Sequence, residues 1–261
     1  MSIIKTNESG HWYTYDGKPC HEVMKVDKSG MTPTTLRHAK KMNLVPSVTS
    51  ILKMLHKPAL ERYKMEQVAL VCTTTPRLFN EGDDAFVKRV LATERQQDQE
   101  AIKAAQLGTD IHNAIEMAIT GKYYDEWLDV YVEPVMEVIK GHEIVATERI
   151  LTGDGYAGRC DLITVKDGKH RVWDFKSSKT PPEKSYPEHR LQLAAYGQIV
   201  DYSGEADVSE SCNIYISTTE PGKITVCDND SDSTNLAYHD CFKHLVQAWQ
   251  WMNGYIPKQV Y

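Results

Sequence analysis

Several signatures are missing from this sequence, and each absence excludes something. The six cysteines, at 20, 72, 160, 212, 227 and 241, include no C-x2-C pair, so the usual zinc-ribbon and dithiol-oxidoreductase spacings are absent. No apolar run approaches the ~18 residues of a membrane-spanning helix, which predicts a soluble chain with no membrane partner. There is no G-x4-G-K-[ST] stretch, so ATP-driven unwinding would need another protein. No secretory leader pattern opens the chain, and reduced thiols in a cytoplasm are the expected state. Positive charge is in deficit too: 30 Lys and Arg against 36 Asp and Glu give a formal net charge of -6. A uniformly acidic surface repels a phosphate backbone. Carboxylates gathered at one site with bases in a groove around it do not, so whole-chain charge excludes little.

What is present supports a large α/β domain. The 261 residues, 41% hydrophobic and 25% charged, suffice for one core with a sizeable accessory lobe. "HWYTYDGKPCHEV" carries aromatics on both sides of Asp16-Gly17, a strong hairpin signal. "PSVTSILKMLHKP" offers Ser47 as N-cap, apolar residues at helical spacing and Pro58 as a stop. Further helices are expected over about 59–71, about 82–120 with a break near Gly108, and about 124–140, where Pro134 predicts a kink or two shorter helices.

After Gly141 the apolar period changes from ~3.6 to ~2. "HEIVATERIL", "RCDLITV" and "HRVWDF" read as three strands, the last two joined by a tight turn at Asp167-Gly168. "EHRLQLAAYGQIV" reads as an amphipathic helix, "CNIYIST" and "KITVCD" as two more strands, and about 235–254 as a closing helix. The expected organisation is a mainly helical lobe with an N-terminal hairpin over 1–140, then a βββαββα core with a mixed sheet over 141–261.

The Asp167-Gly168 turn sets a register. If those residues are the tips of a two-residue hairpin, Asp161 falls directly opposite Asp174, their Cβ atoms about 4.5–5.5 Å apart, and two like charges so placed repel. Lys176 shares the face of Asp174, while Trp173 and Phe175 point the other way. Two carboxylates beside an ammonium make an oxygen-ligand site for a hard cation such as Mg2+ or Mn2+. Such an ion offsets the repulsion and activates a water towards a phosphodiester, with Lys176 orienting or deprotonating that water. A surface hairpin with a weak Asp-Lys pair is the plain alternative. Glu148 in "ATERIL" offers a third carboxylate, or is a solvated strand residue. His112 and Glu116 share a helix face, as do Gln192 and Tyr196; alone, such pairs are also ordinary packed or surface residues.

Taken together and in order, "GTDIH", "GYAGRCDLI", "VWDFKSS" and "LQLAAY" resemble the PD-(D/E)XK nuclease superfamily, and within it the RecB-type branch. The resemblance covers about 108–200. The "PSVTSIL" helix is also similar to the N-terminal part of phage exonucleases and of the mitochondrial genome-maintenance exonuclease. The resemblance implies a restriction-endonuclease-like mixed sheet flanked by helices, with a helical N-terminal lobe arching over the site. It implies a Mg2+- or Mn2+-dependent DNA exonuclease acting on single-stranded or end-containing DNA in phage-type recombination or genome processing. A structure-specific or restriction-like endonuclease and a non-catalytic DNA-binding protein of the same fold are the alternatives.

Carried over residue by residue, His112, Asp161, Asp174, the Phe175 carbonyl and, less securely, Glu148 would be metal ligands. Lys176 would be the catalytic lysine, Gln192 would hold the lysine or the DNA strand, and Tyr196 would support its helix. From their place at the strand's exit Ser177 and Ser178 are expected to contact phosphate, and Lys53, Lys57, Arg62, Lys64, Arg89 and Arg190 are candidate phosphate contacts on DNA for a lobe arching over the site. Some relatives hold an iron-sulfur cluster on closely spaced cysteines; Cys212, Cys227 and Cys241 are too far apart, so no cluster is expected. The implied partners are DNA and a single-strand-binding or recombination protein. A monomer is expected, in a host cytoplasm if the chain is phage-encoded.

Overall fold

A computed structural model describes residues 11–97, 99–202 and 208–258. By packing the chain divides into two compact units, Met1–Met54 with Ile111–Tyr261, and Leu55–Asp110. The helical segment is thus an insertion, and residues 11–54 belong to the unit that contains the sheet, whereas the sequence pattern groups them with a lobe over 1–140.

The larger unit is built on a five-stranded mixed sheet, β5 (Glu143–Thr152), β6 (Ala157–Lys166), β7 (Lys169–Ser178), β8 (Val208–Ser217) and β9 (Ile224–Asn229), in that spatial order. Neighbours are antiparallel except β7 and β8, which run parallel and are joined through α7 (Pro187–Tyr202). A parallel pair needs such a crossover, because a tight turn can only reverse the chain. α7 packs along β7 and β8 and carries the fully buried Leu193 and Ala195. α8 (Ser231–Ala237) begins at Asp230, whose side chain accepts from Ser233 N. A π-helical turn, Tyr238–Phe242, joins it without a gap to α9 (Lys243–Asn253), so the closing helix expected from the sequence is present as one helical run with a π turn inside it. The short helical turn Glu126–Leu128 leads into α6 (Asp129–Ile139), which runs on through Pro134 and packs against β8.

The N-terminal residues form β1 (Trp12–Tyr13), β2 (Glu22–Met24), β3 (Met31–Pro33), α1 (Leu36–Met42) and β4 (Val45–Pro46). The Asp16-Gly17 turn is present, but only the single bridge Tyr13–Pro19 closes it; the partner of β1 is β4. Tyr13, Val45 and Ala157 are buried together, which seats this element on the β5-β6 hairpin. Ser47 caps α2 (Val48–Leu52) as expected, accepting from Ser50 N, although α2 ends five residues before Lys57. The C-terminal segment is clasped by α1 and the turn after it: Tyr255 Oη donates to the Ala39 and Leu44 carbonyls at 3.0 and 2.8 Å, and Asn43 and Lys258 exchange two bonds at 2.8 and 2.9 Å.

The inserted unit contains α3 (Pro58–Thr74), α4 (Asp83–Gln97) and the first half of α5 (Gln99–Ile119). The expected break at Gly108 does not occur. That glycine is buried inside α5, where packing outweighs its propensity cost of about 1 kcal/mol. Arg89 is held by Glu81 through two bonds at 2.9 and 2.7 Å, which drops the Glu81 carboxyl to about 2. Arg62 pairs with Glu66 one helical turn on, so neither arginine is an uncommitted phosphate contact. Among the described residues no helix is long and apolar enough to cross a membrane.

Candidate active site

The register set by the Asp167-Gly168 turn runs from Lys166–Lys169 to Leu162–Trp173. There the ladder stops, one pair short of the acids. Asp161 and Asp174 do not form a backbone pair. Instead the Asp161 side chain takes the place of a ladder acceptor: Phe175 N donates to Asp161 Oδ2 at 2.7 Å. The hydrogen-bonded pairing expected to carry on to the two acids therefore ends one pair early.

Asp174 is buried, 1% exposed. Its Oδ1 accepts from Lys176 Nζ at 2.6 Å and from Gln192 Nε2 at 3.0 Å, and its Oδ2 accepts from Asn213 Nδ2 at 3.0 Å. Three donors on one buried carboxyl meet the need of a buried polar group for partners and leave Oδ2 with room for one more. Gln192 Nε2 also donates to Tyr196 Oη at 3.2 Å. The Tyr196 ring lies against Gly158, where a Cβ would come within 2.6 Å of it, so the glycine of "GYAGRCD" is needed for this close approach. Burial holds the Tyr196 phenol well above its ordinary range, hence neutral and able to donate.

Asn213 was not anticipated. It sits beside Asp174 in the parallel β7-β8 register, is fully buried, and its Oδ1 accepts from Ser185 Oγ at 2.8 Å. Both halves of its amide are therefore used, one on the loop before α7 and one on Asp174. The available signal was an amide in the middle of an otherwise apolar strand, "CNIYIS", which a buried position permits only with partners.

His112 from α5 meets Phe175 edge to face, centroids 6.1 Å apart. Its Nδ1 is 3.8 Å from Asp161 Oδ2. Burial lowers the His112 pKa, with Asp174 opposing, so the imidazole is disposed to be neutral and a nitrogen donor. Burial also raises the Asp161 carboxyl well above its ordinary value, Asp174 adds to this, and Lys176 opposes it. For Lys176 burial alone would lower the pKa, yet Asp174 and Asp161 outweigh it and the ammonium is raised. The lysine is thus held charged.

Glu148 lies between the pairs Thr147–Leu162 and Arg149–Cys160, opposite Asp161, with a positive φ of 48° unusual for a side-chain-bearing residue. Its carboxylate is engaged by Arg159 at 3.3 Å and raised in pKa chiefly by burial. Ser178 shares the face of Asp174 and Lys176 but donates to the Thr180 carbonyl at 2.9 Å, while the alternation of β7 turns Ser177 to the other face. Arg190 lines a cavity of about 460 Å³ with Lys184, Ser185 and Asp230, and Lys53 is an exposed residue at the end of α2.

The donor chemistry fits a hard divalent cation: two carboxylates, a neutral imidazole, and Asp161 Oδ1, which makes no hydrogen bond with a described residue. Among the described residues no group of three or more His, Cys, Asp or Glu is gathered closely enough to form a ready-made cage.

A family model of the PD-(D/E)XK nuclease superfamily matches residues 87–250. Among curated proteins none matches the chain. Solved structures similar to it include an alkaline exonuclease from Laribacter hongkongensis, 12% identical over 80% of this chain and 87% of that one, with a TM-score of 0.42. A candidate exonuclease from Eubacterium rectale is 15% identical over 72% and 68% of the two chains, with a TM-score of 0.36.

Proposed function

The chain belongs to the PD-(D/E)XK nuclease superfamily, and from that premise we propose that it is a Mg2+- or Mn2+-dependent deoxyribonuclease of the RecB type, hydrolysing phosphodiester bonds from DNA ends. The observation that supports this reading most is the convergence of Lys176, Gln192 and Asn213 on the buried Asp174 carboxylate, beside Asp161. A structural Asp-Lys pair on a surface hairpin has no use for three donors and near-complete burial.

Asp161 and Asp174 would hold the metal, with the Phe175 carbonyl and His112 beside them. A bound Mg2+ or Mn2+ supplies Lewis acidity to a phosphodiester oxygen and to a water. Asp174 is held in place by its three donors. Lys176, held protonated by the two acids, acts as a charged donor that orients a phosphate oxygen or the attacking water, a role its raised pKa favours over that of a base. Gln192 sets the position of Asp174, and Tyr196 sets that of Gln192.

The test is incubation of end-labelled single- and double-stranded DNA, circular DNA and RNA with the protein in Mg2+, Mn2+ or EDTA, beside Asp174→Asn and Lys176→Ala. Degradation of linear but not circular strands, lost in EDTA and in both variants, is the expected result. Activity that survives EDTA or either substitution would overturn the mechanism, and cleavage of circles would make the protein an endonuclease.

A further inference from the structure

We propose that Tyr186 is a stacking platform for a nucleobase of the strand being cut, which makes unpaired nucleic acid the preferred substrate; this rests on the nuclease reading above. Lys176 lies beside Tyr215 in the parallel β7-β8 register. Tyr215 Oη accepts from Tyr186 N at 3.1 Å and shares a hydrogen bond of 2.8 Å with His189 Nδ1. The Tyr186 ring stands edge to face on both neighbours, 6.1 Å from Tyr215 and 5.5 Å from His189. The aromatic group therefore begins one strand away from the catalytic lysine.

Tyr186 is held yet open. Its carbonyl accepts from His189 N and Arg190 N at 3.0 and 3.1 Å, which makes it the residue that starts α7. Pro187 follows as the first residue of the helix and restrains Tyr186 to extended backbone. Even so, the residue is 47% exposed, and its hydroxyl makes no hydrogen bond with a described residue. The ring is fixed by two aromatic neighbours and presented to solvent. Binding to it costs little ordering.

The ligand class follows from chemistry. Every base has a π-face, so one aromatic platform accepts any sequence. In a duplex those faces are already stacked on neighbouring pairs, so only a single strand or a frayed end can offer one.

The experiment uses the full chain in EDTA, where binding is separated from cleavage. Fluorescein-labelled oligothymidine is compared by anisotropy with a series carrying one abasic residue at successive positions. Wild type is expected to bind the intact strand about 5- to 150-fold more tightly than the strand abasic at one position, the range of a single base-aromatic stack. Tyr186→Ala should abolish that difference while binding the abasic strand as wild type does, and Tyr186→Phe should preserve it. A flat abasic scan with wild type overturns the proposal without any variant. So does an equal loss on intact and abasic strands in Tyr186→Ala. If nothing is cleaved in Mg2+ or Mn2+ but the scan shows its step, the nuclease reading fails and the platform stands.

Discussion

Asn213 and Asp174 lie side by side on the parallel strands β8 and β7, the amide of one donating to the carboxylate of the other at 3.0 Å. The residues are 39 positions apart in sequence and adjacent in space only because α7 carries the chain across the sheet. Through Ser185 the same amide ties the loop before α7 to the site.

Removing that amide should therefore act on chemistry through Asp174. Asn213→Ala leaves a buried carboxylate oxygen without a donor, a loss of about 1–3 kcal/mol, and kcat should fall by roughly tenfold or more with KM little changed. Ser185→Ala, which removes only the restraint on Asn213, should have the smaller effect. A change in KM with kcat intact would assign Asn213 to substrate binding.

Asp161 should trade stability for function. Its pKa is raised in the folded chain, so the fold binds this proton more tightly than the unfolded chain does, and stability falls as pH rises past the ordinary carboxylate value. In EDTA at neutral pH, Asp161→Asn should melt a few degrees higher than wild type, about what ~1 kcal/mol gives a chain of this size. Below pH ~4 the difference should vanish. Added Mn2+ should raise the melting temperature of wild type and leave the variant unmoved.

Gly158→Ala drives a methyl to within 2.6 Å of the Tyr196 ring. The ring must retreat, and Gln192 with it. A stability loss of about 1–3 kcal/mol is expected, with activity falling further than the fold. Adding Tyr196→Leu to Gly158→Ala should restore melting temperature but not activity; restoration of both would show that Tyr196 matters only as bulk.

Acid should loosen the inserted helices at a pH set by Glu81. Its pKa is depressed to about 2 by Arg89, so the pair contributes fully above the ordinary glutamate value and is lost as pH falls towards about 2. Glu81→Gln removes that dependence. Hydrogen exchange in residues 76–89, followed from pH 5 down to pH 2, should rise in wild type and stay level in the variant.

Local chemistry made much of this fold legible. The strands and α7 from Glu143 onward announce themselves by their apolar period, and a two-residue turn at Asp167-Gly168 suffices to set five successive pairs. The acids at the end of that ladder escape the arithmetic because a side chain has replaced a backbone acceptor, which no periodicity expresses. Gly108 reads as a helix breaker because its propensity is local, while the packing that overrides it is not. β1 shows the same limit: its turn is visible at Asp16-Gly17, but its partner β4 lies 32 residues downstream of Tyr13, at Val45. Asn213 is the costliest omission, since its role exists only after two strands have become neighbours.

The clasp between Tyr255 and the carbonyls of Ala39 and Leu44 joins sequence ends that flank a long excursion. All the candidate catalytic residues from His112 to Asn213 stand on one side of that excursion, and α2, which packs on α7 and α9, stands on the other. A single proteolytic cut between Leu55 and Asp110 would leave two polypeptides with one fold between them. The two pieces, expressed separately and mixed, are expected to reassemble, which recovery of the intact chain's near-UV circular dichroism on mixing would check.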